Sequence, residues 1–252
     1  MNKKLLALFV LLFVAGLAFS SIAFAADPIP EINLSIGNTN GEAGGGSSTI
    51  SIILLLTVLS LAPSILVLMT SFTRIVIVLG FVRTSLGTQQ MPPNQVLIGL
   101  SLFLTLFVMA PTIGEINQTA YQPYARGEIT QMQALEQAAV PLKHFMGQHV
   151  HEKDLKLFLD FSKAERPEGI DDTPLTALIP AYVISELKTA FTMGFIIFIP
   201  FLVIDMVISS TLMAMGMMML PPVMISLPFK ILLFILVDGW YLVVKGLLLS
   251  YG

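Results

Sequence analysis

Charged side chains set inside apolar sequence are where this chain could do chemistry. Glu186, Lys188, Asp205, Lys230, Asp238 and Lys245 lie within or beside strongly apolar stretches, and Arg74 lies in an earlier one. An Asp, Lys or Arg at the middle of a bilayer costs roughly 2.5–3.5 kcal/mol on insertion scales. Such groups therefore pair with one another, within or between subunits, or face an aqueous lumen. Asp205 and Glu186 would alternatively suit the intramembrane carboxylate relay of a secondary transporter or proton channel. Against that alternative, the two halves of the chain show no internal repeat. A second cluster is chemically softer. Residues 213–222 read MAMGMMMLPP, which places Met213, Met215, Met217, Met218 and Met219 together. Gly216 frees the backbone there, and Pro221 and Pro222 forbid a helix from continuing. Unbranched thioether side chains repack around changing surfaces. The cluster thus reads as a deformable seal at a break between two apolar helices, with membrane core or lipid contact as the plainer use.

Other chemistries are excluded by what is absent. The chain has no cysteine, no HExxH or GxSxG motif and no paired-carboxylate spacing, so an enzyme is not expected, nor a metal centre or other cofactor. His149 and His151 are two residues apart, on opposite sides of a helix, which suits solvated histidines better than metal ligands. Net charge is −3 without a basic tract, which argues against nucleic acid as a partner.

The elements that must position these residues are apolar. Of 252 residues, 55% are hydrophobic and only 12% charged, far below the roughly 25% of soluble domains. This is the composition of a membrane protein. Residues 1–25 carry Lys3-Lys4, an apolar run and Ala23-Phe24-Ala25, the pattern of a cleavable signal removed after Ala25. Residues 26–49 are a Pro-, Gly- and Ser-rich linker. The segment 50–113 reads as a first apolar hairpin. Its first run, 50–69, continues past Arg74 to Val82 and holds Pro63, which predicts a kink; on one continuous helix Arg74 and Arg83 face opposite ways. Residues 89–94 form a turn, and 96–113 supply the second run.

Residues 114–180 differ in kind. Ten acids and six bases lie there. Leu135, Ala138, Ala139 and Leu142, and then Leu155, Phe158, Leu159 and Ser162, fall at helical spacing. A polar helical insert is expected. Residues 181–252 form a second apolar hairpin with the methionine loop between its arms. On the last run, 231–249, Asp238 and Lys245 are seven residues apart and share a helix face, with Lys230 about 80° round from Asp238. Prolines at 63, 111, 180, 200, 221, 222 and 228 predict broken helices, which are tolerated only where protein or water covers the freed backbone. The positive-inside rule puts the Arg74–Arg83 connection in the cytoplasm and the insert outside. The fold class expected is all-α: membrane-associated helical hairpins with broken helices, oligomerising around a conduit.

Three stretches carry a family resemblance. They are PAYVISELKTAFTMGF at 180–195, PFKILLFILVDGW at 228–240, and MTSFTRIVIVL at 69–79 followed by MPPNQ at 91–95. Together they resemble the FliP family of flagellar biosynthetic proteins, in the right order and across essentially the whole chain beyond the linker. Thr192 departs from the pattern, where relatives more often carry a longer polar or charged side chain. The resemblance implies a core subunit of the flagellar type III export gate, with close relatives in virulence injectisomes. Five copies would assemble with FliQ and one FliR into a closed helical conduit, with FlhB and FlhA associated, and pass unfolded flagellar subunits. It also implies a bacterial inner-membrane basal-body location raised toward the periplasmic side, so that the apolar segments need not be ordinary spans in lipid. The methionine loop would ring and seal the lumen, a role that falls on Met217, Met218 and Met219, with Met213 and Met215 beside them.

Overall fold

One helix carries the apolar core of the chain. Ile75, Val78, Leu79, Val82 and Leu86 recur at helical spacing and bury one stripe of α2 (Phe72–Leu86). The computed structural model describes residues 53, 56–57, 60, 63–88, 90–162, 167, 169–217 and 220–252. The expected signal segment with Ala25, the whole linker at 26–49, Met218 and Met219 lie outside the described residues. Among the described residues the chain is built of helices joined by turns and has no strand, in agreement with the all-α expectation.

Before α2 runs α1 (Pro63–Met69), bent from it by 77°. The continuous helix expected through Met69 to Val82 is therefore not formed. The Thr70 hydroxyl donates to the Leu66 carbonyl and the Thr73 hydroxyl to the Val67 carbonyl, giving the backbone partners other than a continuing helix. The end of α2 is capped by Gly87 at φ +75, whose N–H donates to the Thr84 carbonyl. After the turn, α3 (Asn94–Ile116) continues through a wider π turn (Asn117–Tyr121) into α4 (Gln122–Ala125). The junction between apolar hairpin and insert thus falls inside one helical rod. On α3, Leu97, Ser101, Thr105 and Met109 are buried at four-residue steps. The Ser101 and Thr105 hydroxyls donate to carbonyls one turn back, each at 2.7 Å, so this buried polar stripe is satisfied within its own helix.

The insert contains α5 (Gln131–His149), opened by a Thr130/Gln133 capping box, and α6 (Glu152–Ser162). Then comes α7 (Leu175–Ala214), 40 residues long and hence roughly 60 Å. It begins five residues before Pro180 and passes through both Pro180 and Pro200. Pro111, Pro141 and Pro228 also lie inside helices. The broken helices expected at Pro111, Pro180, Pro200 and Pro228 are thus not seen. A proline removes one main-chain hydrogen bond, and long apolar sequence on both sides favours continuing the helix over exposing more unpaired backbone. The chain breaks instead at 70–71, at the methionine turn, and between α8 (Pro222–Leu236) and α9 (Gly239–Leu249), which are bent by 63°. By length and composition, Asn94–Ala125 and Leu175–Ala214 are each long and apolar enough to cross a membrane, and each bent pair is apolar and long enough when its two helices are taken together, as a broken span or a re-entrant loop.

Two buried apolar clusters result. One joins α2 to Leu97, Ala190, Phe201, Phe234, Val243 and Leu247. The other gathers Met69, Met109, Phe145, Met146, Leu178 and Tyr182 where the insert packs on α7. Small residues let α2 and α7 approach closely. A Cβ on Gly194 would stand 2.4 Å from Phe81 Cγ and 3.0 Å from its Cβ. Gly194→Ala gains about 1 kcal/mol of helix propensity but incurs overpacking of about 1–3 kcal/mol. A net loss of about 1 kcal/mol is expected, read as a lower unfolding midpoint of the detergent-solubilised protein.

Candidate functional site

Glu186, one turn beyond Tyr182 on α7, and Arg74, at the start of α2, meet between the two clusters. Both are buried, with side chains 0% and 4% exposed. The guanidinium engages the carboxylate in a two-pronged contact: Nε donates to Oε2 at 2.9 Å and Nη2 donates to Oε1. Arg74 Nη1 donates to the Ser250 carbonyl and is 2.9 Å from the Ser250 hydroxyl. Tyr251 closes the assembly. Its hydroxyl donates to Glu186 Oε2 at 2.6 Å, and its ring lies under the Arg74 guanidinium, 4.0 Å away. Phe145 stacks on that ring, with His149 beside it. Burial, with the Glu186 carboxylate nearby, holds the Tyr251 hydroxyl far above the usual phenol range, so it remains a donor. One node therefore ties α2, α7, the insert and the segment after α9. His149 is part of this packing and hydrogen-bonds the Phe145 carbonyl, which corrects the expectation that it is solvated.

A second charged contact lies about 28 Å further along α7, nineteen residues on. Asp205 accepts from Lys230 Nζ at 2.6 Å and from the Ser226 hydroxyl at 2.6 Å. Ser226 and Lys230 are one turn apart on α8, so both face α7. Both of these ion pairs lie within one chain. Asp205 and Glu186, far apart and each held by a cation, are poorly placed for a shared proton relay. Asp238 does not share a helix face with Lys245, because it sits in the break before α9 with a left-handed backbone, φ +50. That conformation is one Asp tolerates better than most residues. Lys188 is exposed, and Lys245 lies 5.7 Å from the Tyr241 ring centre; among the described residues neither they nor Asp238 form an ion pair.

The methionine turn has a defined shape. Gly216, at φ +74, follows the last residues of α7; its N–H donates to the Met213 carbonyl and the Met217 N–H to the Leu212 carbonyl, each at 3.0 Å. This is a Schellman ending with glycine at the left-handed position, and Pro221 and Pro222 then open α8 with φ already set. Met213, Met215 and Met217 are exposed, at 63%, 60% and 47%. Met217 and Leu212 line an apolar cavity of about 340 Å³ with Ser209, Met213, Leu220 and Pro222. Gly216→Ala is expected to cost about 1–2 kcal/mol, the penalty of a left-handed conformation for a residue with a Cβ, and to loosen the tip. Faster proteolysis at the turn is the readout.

These features define a class: among the described residues, an all-helical chain with helices long and apolar enough to cross a membrane, two bent helix pairs and a glycine-capped methionine turn. The family model described as FliP family matches residues 55–247, and the chain belongs to that family. It is 65% identical over 205 residues to a flagellar biosynthetic protein FliP of Bacillus subtilis, covering 81% of this chain and 93% of the relative. The relative of the same name from Aquifex aeolicus is 46% identical over 247 residues, 97% of this chain and 98% of its own. That of Caulobacter vibrioides is 49% identical over 234 residues, covering 92% and 88%. Sequence reasoning missed Tyr251, Ser250 and Ser226. Only Ser226 left a signal, its four-residue spacing from Lys230.

Proposed function

We propose that this chain is a core subunit of the flagellar type III protein export gate. In this reading about five copies assemble with FliQ and FliR, beside FlhB and FlhA, in the bacterial inner membrane at the flagellar basal body, with a large part raised to the periplasmic side. Unfolded flagellar subunits pass through the conduit, and small ions do not. The observation that carries the reading is the methionine turn of a FliP-family chain. A glycine-capped, proline-bounded hairpin tip leaves Met213, Met215 and Met217 exposed, at 63%, 60% and 47%. Several copies of such a tip, brought together, close against one another by dispersion contacts. Unbranched thioethers then follow a moving polypeptide better than stiff β-branched side chains would. The charged contacts shape the subunit instead of carrying protons.

The test is ion leak through cells that express the assembled complex, with Met217, Met218 and Met219 replaced together by alanine. Leak with assembly intact is the expected result. A tight membrane with normal motility would show that the cluster is packing only.

A further inference from the structure

The methionine turn concentrates the oxidisable sulfur of the chain. There is no cysteine, and five of the 14 methionines fall between positions 213 and 219. Met109 and Met146 are buried in the packing around the insert, at 2% and 0%, whereas Met213, Met215 and Met217 are open to solvent. An oxidant converts a thioether only where the fold leaves the sulfur within reach, so the turn and the core differ in susceptibility. Met213 and Met217 also line the cavity of about 340 Å³ beside the turn, and Ser209 is the one wall residue there with a polar side chain. A water molecule takes about 30 Å³ in the liquid. Hydrogen peroxide is little larger and fits the cavity beside both methionines.

We propose that the methionine turn is a reversible oxidation site, and that peroxide unseals the gate by converting its thioethers to sulfoxides. This inference rests on the sealed-conduit reading and names a regulation of that same site. A contact seal faces water on both sides, and peroxide arrives with the water. A sulfur lone pair attacks one peroxide oxygen, so that an S–O bond forms as the O–O bond breaks. The proton left on that oxygen passes to the departing hydroxide, giving a sulfoxide and water; the thioether loses two electrons and the peroxide gains them. A flexible apolar side chain thereby becomes a polar one. An apolar constriction excludes ions by staying dry. Sulfoxide oxygens accept hydrogen bonds from water and hold a wetted gap where thioethers had closed by contact. Enzymatic reduction of the sulfoxides restores the thioethers, and with them the seal.

The experiment uses membrane vesicles that carry the assembled complex. Ion leak is read before and after hydrogen peroxide, and again after added methionine sulfoxide reductases, while mass spectrometry locates the sulfoxides. Sulfoxides within 213–219 and a leak raised about tenfold are expected, the factor being the lower end of what burying one unpaired polar group costs. The reductases should reverse both. Replacing Met213, Met215, Met217, Met218 and Met219 together by leucine should abolish the peroxide response, measured against that variant's own untreated leak; a response that persists there overturns the site. Met132, exposed on the insert, is the control. Met132→Leu should leave the response unchanged, and its loss in that variant would overturn the site. Sulfoxides at the turn without leak, while the triple alanine variant of Met217, Met218 and Met219 leaks, overturn the oxidation and leave the seal standing. So does a turn that stays unoxidised while Met132 is converted. A tight triple alanine variant overturns both. Should the fivefold leucine variant fail to assemble, Met217→Leu decides: a weaker peroxide response supports the site, and an undiminished one overturns it.

Discussion

Glu186→Ala is expected to destabilise the subunit by about 3–5 kcal/mol, the usual cost of stranding one member of a buried ion pair. Arg74 would keep the Ser250 carbonyl and hydroxyl but lose the two-pronged carboxylate contact, in a place where its side chain is 4% exposed and water cannot replace the lost partner. The Tyr251 hydroxyl would lose its short bond and retain only the Ser71 carbonyl at 3.3 Å. For a chain of this size that corresponds to an unfolding midpoint roughly 10 °C lower. Replacing both partners with apolar residues, Arg74→Met with Glu186→Leu, should recover much of the loss, because no uncompensated charge then remains buried. A single variant that melts within a degree or two of the parent would mean that the pair is reached by water.

Gly239→Ala should have the next largest effect, about 1–3 kcal/mol of overpacking. A Cβ there would stand 2.2 Å from two carbons of the Phe234 ring and 2.7 Å from a third. That ring cannot swing aside freely, since Phe201 packs against it with centroids 6.3 Å apart and Trp240 meets it edge-on at 5.4 Å. Trp240 is the single tryptophan of the chain, so its fluorescence reports the disturbance directly. A shifted emission and a lower midpoint are expected together. Gly246→Ala on the same helix is the control. Its Cβ would meet nothing within 4 Å, and the gain in helix propensity should leave stability unchanged or slightly higher. Equal losses at both positions would show that close packing at the bend is not the cause.

Periodicity and composition revealed the helical class and the helix ending among the methionines, because each is written locally. A glycine between methionines followed by two prolines specifies a helix ending through main-chain geometry alone. The charged residues were legible as a set but not as pairs. Arg74 and Glu186 are 112 positions apart, and which cation reaches which carboxylate is decided by how α2 lies on α7. Asp238 shows the opposite case. Its charge drew attention, whereas its place in the bend before α9 is a matter of backbone conformation, which a charge pattern does not display. Counting prolines overstated the breaks, since a long apolar helix absorbs one missing N–H. Tyr251 gave no signal at all: an aromatic residue at the end of an apolar run is ordinary until three helices are seen to converge on it.

The unbroken course of α7 has a mechanical consequence. Glu186 is anchored in the node with the insert, and Met213 lies 27 residues further along the same helix, a lever arm of about 40 Å. Tilting that arm by about 5° around the anchor would sweep the methionine tip sideways by roughly 3.5 Å, from that length and simple trigonometry. That is one van der Waals contact distance between carbon atoms. The methionine tip is therefore sensitive to pivoting at its far end, too slight to disturb the packing around the fulcrum. Fluctuations of the insert reach the methionine tip amplified, and the stiffness of one helix sets the gain.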